Sequence, residues 1–198
     1  MDFAWLEVFG FVTGMWGVWL QARESHWNWP VQLISSAVYV GVFFQARLYA
    51  DTTLNLLDVA LYGLGWYWWL RGGARQTRLD IGHLTWRLAG LLTLVGVAGS
   101  AVMTVFLYSV HDAAPVLDAT TTVASLIATF IMGRKLLESW HLWIVVNLVY
   151  IALYCVRGLY LTAILYGLFA IFSVVGLIGW QRHVREAAAL EAPAAAQG

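Results

Sequence analysis

The sequence predicts an all-α polytopic membrane protein: seven spanning helices arranged as two three-helix repeats joined by a linker helix. Three observations predict it. The 198 residues are 61% hydrophobic and only 11% charged, whereas soluble domains carry about 25% charged residues. A compact soluble fold of this size cannot hide so much apolar surface, because surface-to-volume scaling limits the fraction it buries. Charge clusters divide the chain into seven apolar stretches, each about the 20 residues that a bilayer crossing requires. Finally, the chain matches itself without a gap at an offset of 111 residues.

The first stretch, 3–22, begins after Met1-Asp2. That flank lacks the positive charge of a signal peptide, so a retained helix is expected. The following spans are 29–46, 52–70, 88–110, 116–133, 138–156 and 160–180. Runs of this length exclude a barrel, whose strands alternate apolar and polar over about ten residues. From Gln181 the chain becomes Ala-rich and reads as a short helix or a disordered end. One transmembrane domain, 1–180, is expected, followed by a cytoplasmic tail over 183–198.

Lys and Arg divide two against nine between the two sides of these spans. Arg47 and Arg157 lie on the side of the N-terminus. Arg23, Arg71, Arg75, Arg78, Arg87, Arg134, Lys135, Arg182 and Arg185 lie on the other. The positive-inside rule places the rich side, with the C-terminus, in the cytoplasm and the N-terminus outside.

The self-match aligns 6–71 with 117–182. Its identities include Arg23/Arg134, Trp29/Trp140, Tyr39/Tyr150, Gly65/Gly176, Trp69/Trp180 and Arg71/Arg182. Repeat one covers 3–71, the linker helix 88–110 and repeat two 116–182. An odd linker returns the chain to its starting side, so the halves run parallel, as in transporters that bind substrate between repeats.

Several chemistries are excluded. Eleven basic and eleven acidic residues leave no net charge to attract nucleic acid. A single cysteine, Cys155, excludes an internal disulfide and a cysteine metal cluster. The five histidines have no metal-ligand spacing, and no phosphate loop, HExxH or GxSxG motif is present. No cofactor is implied. The expected partners are the bilayer and a small molecule, and homo-oligomers are left open.

Polar groups inside a membrane are costly, which makes each a functional candidate. Asp58, in the third span, is the sharpest: a buried carboxylate stays charged only beside a cation. Glu7 and Asp118 occupy matching positions near the outer span ends, where side chains reach water. Gln32, Gln45, Asn55 and Asn147 are amides that serve either as helix–helix glue or as ligand contacts. Trp140, Trp143, Asn147 and Tyr150 form one stripe at helical spacing. An amide among aromatics suits a flat polar ring, although the same stripe also suits core packing. Trp5, Trp27, Trp66, Trp68, Trp69, Trp86 and Trp180 lie near span ends and read as interfacial anchors. Trp16 and Trp19 read as packing or a pocket wall.

The run Phe43-Phe44-Gln45-Ala46-Arg47-Leu48-Tyr49-Ala50 resembles the FFQxxLYA segment of PnuC-type vitamin transporters. Gly65-Trp66-Tyr67-Trp68-Trp69 resembles their YGWYxW ending, with Leu64 in place of the usual Tyr. Arg134-Lys135, Glu138, Trp140, Trp143 and Asn147 fit RKxxExWxxWxxxN. The resemblance runs from about Phe3 to Trp180. It implies a 3+1+3 fold related to SWEET sugar transporters and inner-membrane uptake of an unphosphorylated vitamin, usually nicotinamide riboside, trapped by a cytoplasmic kinase. It implies substrate contacts at Trp140, Trp143 and Asn147, with Gln45 and Trp29 in or near the pocket. Asn55 stands where the family commonly has Gln, and Asp58 where it has an aromatic, so both bear on substrate choice. Thiamine or another aromatic vitamin is the alternative substrate. An integral-membrane enzyme using Asp58, Glu7 or Asp118, and a non-transporting receptor, are the alternatives of other classes.

Overall fold

The computed structural model describes residues 4–45, 49–73, 77, 79–111, 114–156, 158 and 160–195. The Glu7 side chain, the segment 46–48, and Arg157 and Leu159 lie outside the described residues. Among the described residues there are seven α-helices: α1 (Ala4–Ala22), α2 (Asn28–Gln45), α3 (Tyr49–Arg71), α4 (Trp86–Ser109), α5 (Pro115–Gly133), α6 (Glu138–Val156) and α7 (Tyr160–Ala195). Each coincides with a predicted span to within a few residues, except that α7 has no break near Gln181. Its 36 residues extend about 54 Å at ~1.5 Å per residue. That exceeds the ~30 Å hydrocarbon core, so the Ala-rich tail continues the last helix.

By length and composition, α4, α5, α6 and the Thr162–Ala187 part of α7 qualify as spans on their own. Helices α2 and α3 are more polar, and some of their polar groups, Gln32 and Asp58 among them, turn toward an internal cavity. Packing explains the arrangement. Helix α1 touches α2 and α7, α3 touches α2 and α5, and α6 touches α5 and α7, which closes a ring of six helices. Helix α4 packs on α5 from outside that ring, and none of its residues is buried. Thr85 caps its start by accepting from the Leu88 N–H, and Pro115 opens α5, where its missing N–H costs nothing.

The turns after α1 and α5 are copies of each other. Arg23, Glu24 and Ser25 donate to the carbonyls of Trp19, Gln21 and Leu20. Arg134, Lys135 and Leu136 donate to those of Phe130, Met132 and Ile131, each 111 positions later. Both turns reverse through a left-handed residue, Glu24 (φ 54°) and Lys135 (φ 55°), where helix ends usually carry Gly. The α3–α4 loop docks beside the second turn. Gly82 N–H donates to Lys135 O at 3.1 Å, Leu137 N–H to Gly82 O at 3.0 Å, and Leu84 N–H to the Glu138 carboxylate at 2.8 Å.

The buried core at this end is a tryptophan quartet. Trp29 meets Trp69 edge-on at 5.6 Å and Trp140 meets Trp180 edge-on at 5.4 Å, with Trp69 and Trp180 5.8 Å apart. The first two contacts are again related by the 111-residue offset. Trp69 and Trp180 are only 4% and 0% exposed, which corrects their reading as interfacial anchors. Their rings turn inward and pack on each other, so being near a span end does not bring them to lipid. Trp16 lies 57% exposed on the outer face of α1, so it forms no pocket wall. Trp86, 79% exposed, keeps a position suited to an anchor.

Candidate functional site

A cavity of about 320 Å³ lies inside the helix ring. Helix α6 supplies Trp140, Trp143, Asn147 and Tyr150, so the predicted stripe does face one space. Helix α2 adds Trp29 and Gln32, and α3 adds Asp58 and Tyr62. Gly14, Val18 and Gln21 come from α1, Ser125 and Thr129 from α5, and Tyr166, Phe169 and Ser173 from α7.

Two expected contacts lie elsewhere. Gln45 closes the far end of α2 with an exposed side chain, several turns from Trp29. Asn55 sits one turn before Asp58 on α3, half-buried, and is not among the cavity-lining residues. Asp118, in the first turn of α5, is also outside the lining.

The lining carries two kinds of chemistry. Aromatic surface dominates the side formed by α6 and α7. Tyr166 packs on Tyr150 at 4.6 Å, stacks on Tyr154 at 5.3 Å and meets Phe169 edge-on at 5.7 Å. Polar groups are few and held in place. Asn147 is 2% exposed and donates through Nδ2 to Ser173 Oγ at 3.4 Å. Ser173 in turn donates to Phe169 O at 2.8 Å. This chain aims the amide and leaves its oxygen available as an acceptor. The indole N–H groups of Trp29 and Trp140 are buried without partners, although buried donors are normally satisfied. Both rings line the cavity.

Ring position is set by glycine. A Cβ on Gly65 would stand 2.5 Å from Trp29, and a Cβ on Gly176 would stand 2.5 Å from Trp140. Only glycine lets α3 and α7 approach the two indoles so closely.

Beyond the tryptophan quartet lies a second, polar cavity of about 300 Å³, lined by Arg23, Glu24, His26, Trp69, Leu70, Lys135 and His183. Lys135 pairs with Glu24 at 2.8 Å, donates to Leu79 O at 3.0 Å and lies 5.3 Å from the Trp69 ring centre. His183 also bonds to Glu24. Burial pushes the Glu24 carboxyl up, but its bonds to Lys135 and His183 outweigh this and hold it below its ordinary value.

Residues 4–182 match the family described as Nicotinamide mononucleotide transporter. The chain belongs to the PnuC-type vitamin transporters. Nicotinamide riboside transporter PnuC of Escherichia coli (strain K12) is 26% identical over 93% of this chain and 88% of its own length. That of Neisseria mucosa is 30% identical, over 92% and 74%. The riboflavin/roseoflavin transporter RibM of Streptomyces davaonensis is 29% identical, over 89% and 84%. A crystal structure of the vitamin B3 transporter PnuC superposes with a TM-score of 0.71 at 31% identity, covering 93% of this chain and 83% of the other. This PnuC-type chain is therefore a multi-pass bacterial inner-membrane transporter of a small molecule and not an enzyme.

Sequence reasoning missed Gln21, Tyr62, Tyr166, Phe169 and Ser173 as cavity residues, and read Gln32 only as an amide. The offset held a usable signal. Subtracting 111 from Trp140 and Trp143 gives Trp29 and Gln32, and adding it to Asp58 gives Phe169.

Proposed function

We propose that this PnuC-type transporter takes up nicotinamide riboside by facilitated diffusion, with a separate cytoplasmic kinase trapping the product. The carrying observation is the charge of the cavity. Among the described lining residues Asp58 is the only charged one, and no Lys or Arg joins it. A phosphate would find no cation there, whereas a cationic pyridinium nucleoside gains a carboxylate, aromatic faces and an aimed amide. That favours the riboside named for the relatives over the mononucleotide of the family description. The 3+1+3 SWEET-like arrangement, with the cavity between repeats, is supported by matching turns, glycine contacts and tryptophan pairs. The excess of Lys and Arg supports a cytoplasmic Glu24–Lys135 end and an external N-terminus. The quartet and this ion pair then close the cytoplasmic side.

Proteoliposomes test the proposal. Labelled nicotinamide riboside should equilibrate and stop, the mononucleotide should not enter, and enclosed kinase with ATP should drive accumulation. Accumulation without the kinase would show ion coupling and overturn facilitated diffusion. Asp58 favours a second reading, thiamine, and the RibM relationship another aromatic vitamin; the same vesicles distinguish both by competition.

A further inference from the structure

The cavity wall contains its own internal control. Six pairs of lining positions are related by the 111-residue offset, among them Trp29/Trp140, Gln32/Trp143, Tyr62/Ser173 and Asp58/Phe169. At the last pair, the same point of the third helix of each repeat carries a carboxylate on one side and a phenyl ring on the other. Phe169 packs against Tyr166 there. The helix position therefore accommodates an apolar residue, and packing does not demand a carboxylate.

Asp58 is also without the support that a structural carboxylate would have. Among the described residues no Lys, Arg or His pairs with it, and no donor hydrogen-bonds to it. A charge held away from water is unfavourable unless it is paired. We infer that Asp58 is the specificity-determining residue of this transporter: it selects ligands with a positive charge on a flat ring over neutral ligands of the same shape. The aromatic side of the cavity holds the ring, and the carboxylate facing it reads the charge. This rests on the proposed uptake of a vitamin nucleoside and adds the residue that makes it charge-selective.

The test uses two ligands that differ in charge and little in shape. Nicotinamide riboside is a cation, and its dihydro form, reduced by one hydride, is neutral. Binding to the purified full-length protein is read by quenching of tryptophan fluorescence. The wild type should bind the cation at least tenfold more tightly than the neutral form. Asp58→Asn should weaken cation binding by roughly ten- to hundredfold and shift the neutral form less than threefold. Asp58→Glu should recover part of the preference. Asp58→Phe, which copies the residue of the other repeat, should fold and lose the preference, so a misfolded Asn variant would not spare the proposal. Equal losses for both ligands, or none for either, would overturn it. If the riboside pair does not bind but thiamine binds in an Asp58-dependent way, charge selection stands and the vitamin B3 reading falls.

Discussion

Glu24 and Lys135 occupy the same position in the matching turns after α1 and α5, share a left-handed backbone conformation, and pair with each other at 2.8 Å. Equivalent turns thus meet beneath the tryptophan quartet and are joined by opposite charges. Like charges would repel there, so this position requires the two turns to differ. The pair is only 18% and 13% exposed, and removing one partner strands the other charge. Glu24→Gln or Lys135→Met should each lower stability by about 3 kcal/mol, read as a drop in melting temperature in detergent. The double exchange Glu24→Lys with Lys135→Glu should recover part of the loss. Recovery is incomplete because the exchange turns an ammonium toward His183 and a carboxylate toward the Leu79 carbonyl. An additive loss in the double variant would show that the charges are not coupled.

The same carboxylate gives a pH dependence. Its folded value lies below the ordinary 4.5, so the unfolded chain takes up its proton first as pH falls. The contribution to stability is complete above about pH 5 and is lost on acidification through the folded value. Melting temperature should therefore fall from pH 5 toward pH 3 more steeply in the wild type than in Glu24→Gln. Parallel curves would remove Glu24 from the account.

The aromatic stripe should bind by stacking. Base–aromatic stacking contributes about 1–3 kcal/mol per base, so Trp143→Ala should weaken riboside binding roughly five- to 150-fold. Trp143→Phe should recover much of it. Trp140→Ala should weaken binding similarly and also destabilise, since Trp140 is 1% exposed and packs on Trp180. Unchanged affinity in a folded Trp143→Ala protein would return this residue to packing alone.

Glycine substitutions should separate cavity-forming positions from the rest. Gly65→Ala and Gly176→Ala each force a methyl to within 2.6 Å of an indole ring, which should cost about 1–3 kcal/mol. Displacement of Trp29 or Trp140 should weaken ligand binding as well. Gly90 on α4 has nothing within 4 Å of its added Cβ, so Gly90→Ala should leave binding unchanged and stability equal or higher. Comparable effects at all three positions would show that close approach is not what these glycines provide.

Length and hydropathy alone placed all seven helices, because the bilayer sets how long an apolar run must be and every backbone group must be satisfied within it. The self-match was equally plain, since the offset of 111 survives in residues such as Trp29/Trp140 and Gly65/Gly176. The family resemblance pointed to the α6 stripe, and Asp58 stood out as a charge inside an apolar run. What local pattern did not carry was the direction in which side chains face. Trp69 and Trp180 look like anchors by position, Trp16 looks internal, and Gln45 falls in a family motif. Only the closure of six helices into a ring decides that the first two are core and that the others face outward. Tyr62, Phe169 and Ser173 are ordinary residues on apolar helices until α3 and α7 turn them toward one space. The pairing of Glu24 with Lys135 spans more than a hundred residues, so it exists only where the turns after α1 and α5 meet.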